Sequence, residues 1–524
     1  HVMKLEKTKN TKRNIVSGLI NRVVVLLLPF IVRTIIIKKL GAEYLGLNSL
    51  FSSILQVLNL SELGFASAVV YSMYKPIARD DVDSICALLN FYRKVYRIVG
   101  IIILGAGLIL MPFLPHIISG EVPDGLNIYV LYSFYLVNTV VSYLFLAYKV
   151  SLLNAHQRQD VVSNTLTLTQ GLMHIFQIII ILTTKNYYLY LVLLPIFTLI
   201  YNVLNAIKVK RLYPQYVCRG KIHKREKDVI KKQVPGLMID KLCMTSRNSF
   251  DSIFISAFLG LSATAMYGNY YYILSAVQVI LQVMSNAILA GVGNSVVLDS
   301  AENNYKTMKK IDYLFILMAG WCSICMLCLY QPFMRVWVGE QYEFGLTTVV
   351  LMCMYFYVIE IGVIRGVYFS AAGLWWQGKH ITICEVIANI VLNYFLGKYF
   401  GINGIIMATL ITLFIINFCW GSGVVFKHYF KNNDRVNYCL RHVKYAAVTF
   451  VIGSVTYGLC SIVSLNKYLT ILYRGVVCVV VPTFLYVAVY CRTKEYKQTL
   501  SWAFDKFKFG RKLSKFVRID EMER

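Results

Sequence analysis

The sequence predicts an all-α polytopic membrane protein, and three observations carry that prediction. Of 524 residues 57% are hydrophobic and 15% charged, mean hydropathy is +0.59, and the apolar residues lie in long runs between short basic loops. A soluble chain of this size could not wet so much apolar sequence. Continuous runs, rather than alternating strands of about ten residues, exclude an outer-membrane barrel.

About 20 residues cross the hydrocarbon as a helix. On that ruler the spans are 14–37, 46–72, 95–118, 127–149, 162–183, 187–207, 235–259, 265–298, 312–337, 344–372, 381–400, 402–426, 443–463 and 469–490, about fourteen in all. The loops on the N-terminal side, with both terminal segments, hold 41 Lys and Arg. The opposite loops hold six: Lys38, Lys39, Lys185, Arg335, Lys398 and Lys467. Six more lie within spans: Arg22, Arg33, Lys241, Arg247, Arg365 and Arg474. The positive-inside rule then predicts cytoplasmic N- and C-termini, and the clean alternation favours an even number of spans. The formal charge of +27 reads as topology plus attraction to anionic lipid, and no nucleic-acid partner is needed to explain it.

The basic linker 208–232 (KVKRLYPQYVCRGKIHKREKDVIKK) divides the first twelve spans into six and six. The start of the second span in each half is alike: LGAEYLGLNSLFSSILQVLNL against LGLSATAMYGNYYYILSAVQVILQVM. Setting Gly46 on Gly268 puts Ser53 on Ser275, Gln56 on Gln278 and Val57 on Val279, with Leu40-Gly41 and Leu259-Gly260 upstream across spacers that differ by three residues. Both copies enter from the same side. That is a parallel repeat, expected of two lobes related by an axis along the membrane normal. The expected organisation is a cytoplasmic segment 1–13, an N-lobe 14–207, the linker 208–232, a C-lobe 233–426, two further spans in 427–490 and a basic cytoplasmic tail 491–524.

The segment VPGLMIDKLCMTSRNSFDSIFISAFLG breaks the rules of a span. Asp240, Lys241, Arg247 and Asp251 interrupt it, each costing roughly 2.5–3.5 kcal/mol at the bilayer centre unless it faces protein or water. At about 100° per residue Asp240, Arg247 and Asp251 share one helical face. They read either as an Arg–Asp lock between helices or as a polar transport site. In the first span Arg22 and Arg33, eleven apart, share a face with a stripe of Asn14, Ser17, Gly18 and Asn21, and Pro29 stands between the arginines. Arg33 is placed to snorkel to headgroups. Arg22 is not, and its functional reading is preferred. The first and seventh spans occupy equivalent positions, and both carry arginine. Their planar guanidinium forks suit phosphate, so the implied substrate is an anion of the phosphate or diphosphate kind. Asp240 and Asp251 could instead neutralise Arg247 and Lys241, or bind a coupling cation or proton.

Further candidates are Glu62, beside Asn59, and the pair Glu360 and Arg365. The latter two are five apart and lie about 140° around their helix, so they form no local pair. The stripe Glu385, Asn389, Asn393 reads as interhelical glue. Tyr267, Tyr270, Tyr271 and Tyr272 could stack on sugars or form an interface belt. Cys322, Cys325 and Cys328 sit in an apolar helix with no His or carboxylate beside them, and no metal is expected there. No phosphate loop, no H-E-x-x-H and no sizeable extramembrane domain is present, so no enzyme is predicted.

With these residues in hand the chain resembles the polysaccharide transporter (Wzx-type) family of the MOP (MATE/MurJ-like) flippase superfamily. The stretches that carry the resemblance are KKLGAEYLGLNSLFSSILQVLNLSELGFASAVVYSMY, SFDSIFISAFLG and SAAGLWWQGKHITICEVIANIVLNYFLGKYFGINGIIMATL; with the span count they cover residues 12–490. The resemblance implies two six-helix bundles plus two C-terminal helices, rocking in alternating access to move an undecaprenyl-diphosphate-linked oligosaccharide to the outer leaflet. It implies a cationic cavity at Arg22, Arg247 and Arg33, in a bacterial cytoplasmic membrane, with polysaccharide polymerase machinery and membrane lipids as partners. No cofactor is expected beyond a coupling ion, H+ or Na+. Lys241 between two aspartates departs from the family pattern. The competing readings are a MATE-like ion-coupled multidrug or cation antiporter, which would want acidic residues to dominate, and a glycan polymerase, which would want a larger external loop than the ten or so residues available.

Overall fold

Every regular element in the described chain is helical. The computed structural model describes residues 7–59, 65–120, 122–222, 224–463 and 466–506, and no strand occurs among them. The helices run α1 Lys7–Lys39, α2 Ala42–Leu58, α3 Phe65–Ala78, α4 Val82–Leu110, α5 Leu114–Ile117, α6 Ile128–Leu144, α7 Val150–Ala155, α8 Gln159–Thr184 and α9 Tyr187–Leu212. They continue with α10 Lys224–Leu298, α11 Ala301–Trp337, α12 Leu346–Ile361, α13 Val363–Ala371, α14 Trp375–Ile411, α15 Gly421–Val425, α16 Arg435–Ile462, α17 Lys467–Tyr490 and α18 Lys494–Lys506. In hydrocarbon no water can satisfy the backbone, so apolar runs of this length close their hydrogen bonds internally as helices.

Among the described residues ten helical stretches are long and apolar enough to cross a membrane, or eleven with the bent pair Ile128–Leu144 and Ala147–Ala155. Two of the ten, Ser249–Asn286 and Trp375–Phe430, are each broken by a glycine, Gly260 and Gly401. Counting both as two spans, with the bent pair, gives thirteen, beside the shorter α2 and α3. The chain is thus an all-α, multi-pass membrane protein.

The corners between spans follow from local chemistry. Gly41, between α1 and α2, has φ +122°, and Gly260, inside α10, has φ +86°. These are the two glycines of the repeated Leu-Gly, and both occupy the backbone region that side chains disfavour. The fifth-to-sixth corners match as well: Lys185 at φ +52° in the first half and Gly401 at φ +55° in the second. Side-chain caps fix several span starts. Asn127 accepts from the amides of Tyr129 and Val130, Asn186 from Tyr188 and Leu189, and Asn466 from Leu469.

Two compact units are present, one comprising residues 1–269 and 389–405, the other 270–388 and 406–524. In the first, α1 lies along α8, while α6 packs on both α9 and α4. Here α2 and the second arm of α10 pack so closely that a Cβ on Gly46 would overlap the backbone carbonyl of Leu261. In the second unit α11 is the central helix, packed on α12, α16 and α17. Its buried core includes Met308, Phe315, Ile361, Tyr368, Phe418 and Phe426.

The close approach at Gly46 gives a direct check. Gly46→Ala should lower stability by about 1–3 kcal/mol, because rigid backbone must move. Gly105→Ala in α4, where nothing lies within 4 Å of the added methyl, should leave thermal unfolding in detergent unchanged or slightly improved. Equal unfolding temperatures for wild type and Gly46→Ala would show that the approach is not tight.

Candidate substrate and coupling sites

The arginines of α1 sit in different surroundings. Arg22 is exposed, while its neighbour Asn21 donates to Thr167 Oγ1 at 3.0 Å and so ties α1 to α8. Eleven residues on, about 16 Å along a helix, Arg33 is half-buried and donates through both Nε (3.1 Å) and Nη2 (3.0 Å) to Asn269 Oδ1. Asn269 is fully buried, and its Nδ2 has no acceptor among the described residues. The pair therefore presents a guanidinium beside an amide N–H2 that lacks a partner. Gly268 opens the space for it, since a Cβ there would lie 3.0 Å from both Arg33 Nη2 and Ser49 Oγ. Around this point Tyr135 OH donates to Asn48 Oδ1 at 2.8 Å, and Tyr187 OH to the Tyr44 carbonyl at 3.0 Å.

In the first arm of α10, Arg247 is half-buried and Ser249, fully buried, donates to Gln56 Oε1 of α2 at 3.1 Å. Asp251, one turn on, is fully buried. Its Oδ1 accepts from Asn393 Nδ2 at 2.9 Å and its Oδ2 from Tyr267 OH at 3.4 Å. Asn393 Nδ2 also reaches Asn389 Oδ1 at 3.2 Å, while Asn393 Oδ1, likewise buried, has no donor among the described residues. A buried carboxylate thus stands beside two buried carboxamides, one of which offers an unused carbonyl oxygen. An unsatisfied buried acceptor is costly, and hard cations of the sodium, calcium and magnesium kind are bound by just such oxygens.

The second unit contains a separate polar chain. Arg365 donates to Asn417 Oδ1 at 2.8 Å, and Asn417 Nδ2 donates to Glu385 Oε2 at 2.8 Å. Arg365 and Glu385 are buried. Asn417 sits in a π-helical stretch, Thr412–Trp420, a distortion frequent at functional positions. Glu360 is buried and bonded by Gln278, the repeat partner of Gln56. Glu360 and Arg365 therefore find separate partners, in keeping with their helical spacing.

The polar stripe of α14 is divided between two sites: Asn389 and Asn393 serve Asp251, whereas Glu385 serves Asn417. Of the tyrosine group, Tyr267 and Tyr270 are buried core residues; Tyr270 is packed by Tyr330 and Phe344 at 5.1 and 4.8 Å. Glu62 and the side chains of Asp240 and Lys241 lie outside the described residues. Sequence reasoning missed Asn269 and Asn417. Asn269 follows the repeat glycine directly, which is the one local signal that marked it.

No protein-family model and no curated protein matches the sequence. Solved structures do match. The lipid II flippase MurJ in an inward closed conformation aligns over 91% of this chain and 98% of its own, with TM-score 0.63 and 14% identity. An inward-facing multidrug resistance MATE family transporter of the MOP superfamily aligns over 78% and 99%, at 0.57 and 14%. A point mutant of the Vibrio cholerae MATE transporter VcmN aligns over 82% and 98%, at 0.56 and 15%. At such identities the likeness is one of fold: this chain has the helical fold of MATE transporters and the MurJ flippase.

Proposed function

We propose that this protein is a flippase that carries undecaprenyl-diphosphate-linked oligosaccharide repeat units from the cytoplasmic to the outer leaflet by alternating access, for surface polysaccharide synthesis. The observation that carries the reading is the Arg33–Asn269 pair, a guanidinium and an unpartnered buried amide donor. The pair places a positive charge beside an amide donor within a span, an electropositive point suited to an acceptor-rich anion, and a diphosphate is the anionic part of such a lipid. Arg22, exposed within a span, extends the cationic line of α1, and Arg247 adds a third arginine. The fold likeness to a lipid II flippase points the same way, as does the resemblance to polysaccharide transporters.

The basic loops support a place in the bacterial cytoplasmic membrane with both termini inside. Asp251 with Asn389 and Asn393 is the proposed coupling site. Its three oxygen-bearing groups suit a sodium ion, and a proton on Asp251 is the alternative. Asp240, Lys241 and Glu62 remain proposed cavity residues on their sequence positions alone. Glu360 and Arg365 belong to buried polar contacts of the second unit.

Two tests follow. Removing a charge-assisted hydrogen bond costs about 1.5–3 kcal/mol, so Arg33→Gln, Arg22→Ala and Arg247→Ala should each slow flipping about tenfold to a hundredfold in proteoliposomes, with thermal unfolding near wild type for Arg22→Ala and Arg247→Ala and lowered for Arg33→Gln, which also loses the bonds to Asn269. Normal polymer production by all three at wild-type protein levels would sink the anion site. Asp251→Asn should abolish stimulation of flipping by an imposed sodium gradient while leaving the protein folded. Retained sodium stimulation in Asp251→Asn would move the coupling site elsewhere.

A further inference from the structure

Four cysteines meet inside the second unit from three different helices. The Sγ atoms of Cys328 on α11, Cys460 on α16 and Cys478 on α17 all lie within 4.8 Å of one another, and all three side chains are buried. Cys325, one turn before Cys328, touches the same group: its thiol contacts that of Cys478 and lies 3.9 Å from the Cys478 carbonyl oxygen. In sequence these residues are up to 153 positions apart, so only the fold assembles them. Ile324, one turn before Cys328, belongs with the three to one buried apolar cluster.

A second feature points to charge at this place. Arg474 of α17, an arginine within a span, donates through Nη1 to the Cys328 carbonyl at 3.0 Å. Its Nε is buried without an acceptor among the described residues. The guanidinium also acts electrostatically on the thiols of Cys460 and Cys478. An arginine placed in a span beside neutral thiols is expensive. Beside thiolates it is balanced.

We infer that Cys328, Cys460 and Cys478, with Cys325 as the fourth sulfur, form a structural zinc site that fastens the two C-terminal spans to α11. Zinc is tetrahedral on thiolate sulfur at about 2.3 Å, which sets sulfur atoms roughly 3.8 Å apart. The sulfurs of Cys328, Cys460 and Cys478, within 4.8 Å of one another, need only a small contraction to reach that spacing, and Cys325 joins them by turning from the Cys478 carbonyl toward the ion. On binding, each ligating thiol gives up its proton to solvent and a zinc–sulfur bond replaces the S–H bond. The four-thiolate zinc centre carries two negative charges, of which Arg474 offsets one. Four protein ligands close the coordination sphere, the arrangement of structural rather than catalytic zinc. Cys460 lies two residues from the end of α16, which gives the ion a short route in.

Metal analysis of the full-length protein, purified in detergent under reducing conditions without chelator, tests this. One zinc per chain is expected, and cobalt substitution should give the intense sulfur-to-cobalt charge-transfer bands of a tetrahedral thiolate site. The triple variant Cys328→Ser/Cys460→Ser/Cys478→Ser should lose both, while Cys491→Ser keeps both. A strong chelator should lower the unfolding temperature of wild type and leave that of the triple variant unmoved. Should the triple variant not fold, the zinc content and cobalt spectrum of wild type decide alone. Absence of zinc and of the cobalt bands in wild type, copper in its place, or a disulfide among these cysteines would each overturn the assignment.

Discussion

The contact on which the first unit depends is the pair of hydrogen bonds from Arg33 to Asn269. It joins the far end of the first span to the second arm of α10, 236 residues away. A guanidinium within a span must be given partners or water, because hydrocarbon offers neither. Here one carboxamide oxygen takes two of its N–H groups, and Gly268 removes the side chain that would fill the space. Gly46, its repeat counterpart, opens the neighbouring contact on α2. The same two glycines that reveal the repeat in the sequence thus make room for the helices that carry the cation.

The rest of the polar interior follows the same rule with different ligands. Asp251 accepts from the neutral donors Asn393 and Tyr267, which stabilise a carboxylate through hydrogen bonds. Arg365 and Glu385 are joined through Asn417, which accepts from one and donates to the other. The amide of Asn417 serves both side chains at once, and the π-helical turn that carries it is the local distortion that places it. The chain therefore combines two carboxylate sites held by asparagine with an arginine-bearing first span.

Much of this architecture was legible in the sequence. Apolar run length located the spans, and the repeated Leu-Gly marked a corner that needs positive φ in both halves. The intramembrane charges were visible as violations of composition. Their partners were not. Nothing local links Arg33 to Asn269, or Asp251 to Asn393 across 142 positions. The stripe Glu385, Asn389, Asn393 looks uniform along a helix, yet its members serve different sites, because successive turns face different neighbours. The cysteines illustrate the same limit: Cys322, Cys325 and Cys328 look isolated along α11 until Cys460 and Cys478 arrive from α16 and α17. Periodicity gives faces, and long-range packing decides what each face meets.

A fold shared by multidrug transporters and a lipid flippase leaves the substrate to the side chains, and here those are arginines paired with amides. The measurement that bears most directly on this is made with unmodified protein in liposomes. A fluorescent undecaprenyl-diphosphate oligosaccharide on one leaflet and an organic dye cation in the lumen would be followed in parallel. For a lipid flippase the labelled lipid should cross faster than in protein-free vesicles while the cation stays trapped. Efflux of the cation with no movement of the lipid would contradict it, and would make the protein an antiporter instead.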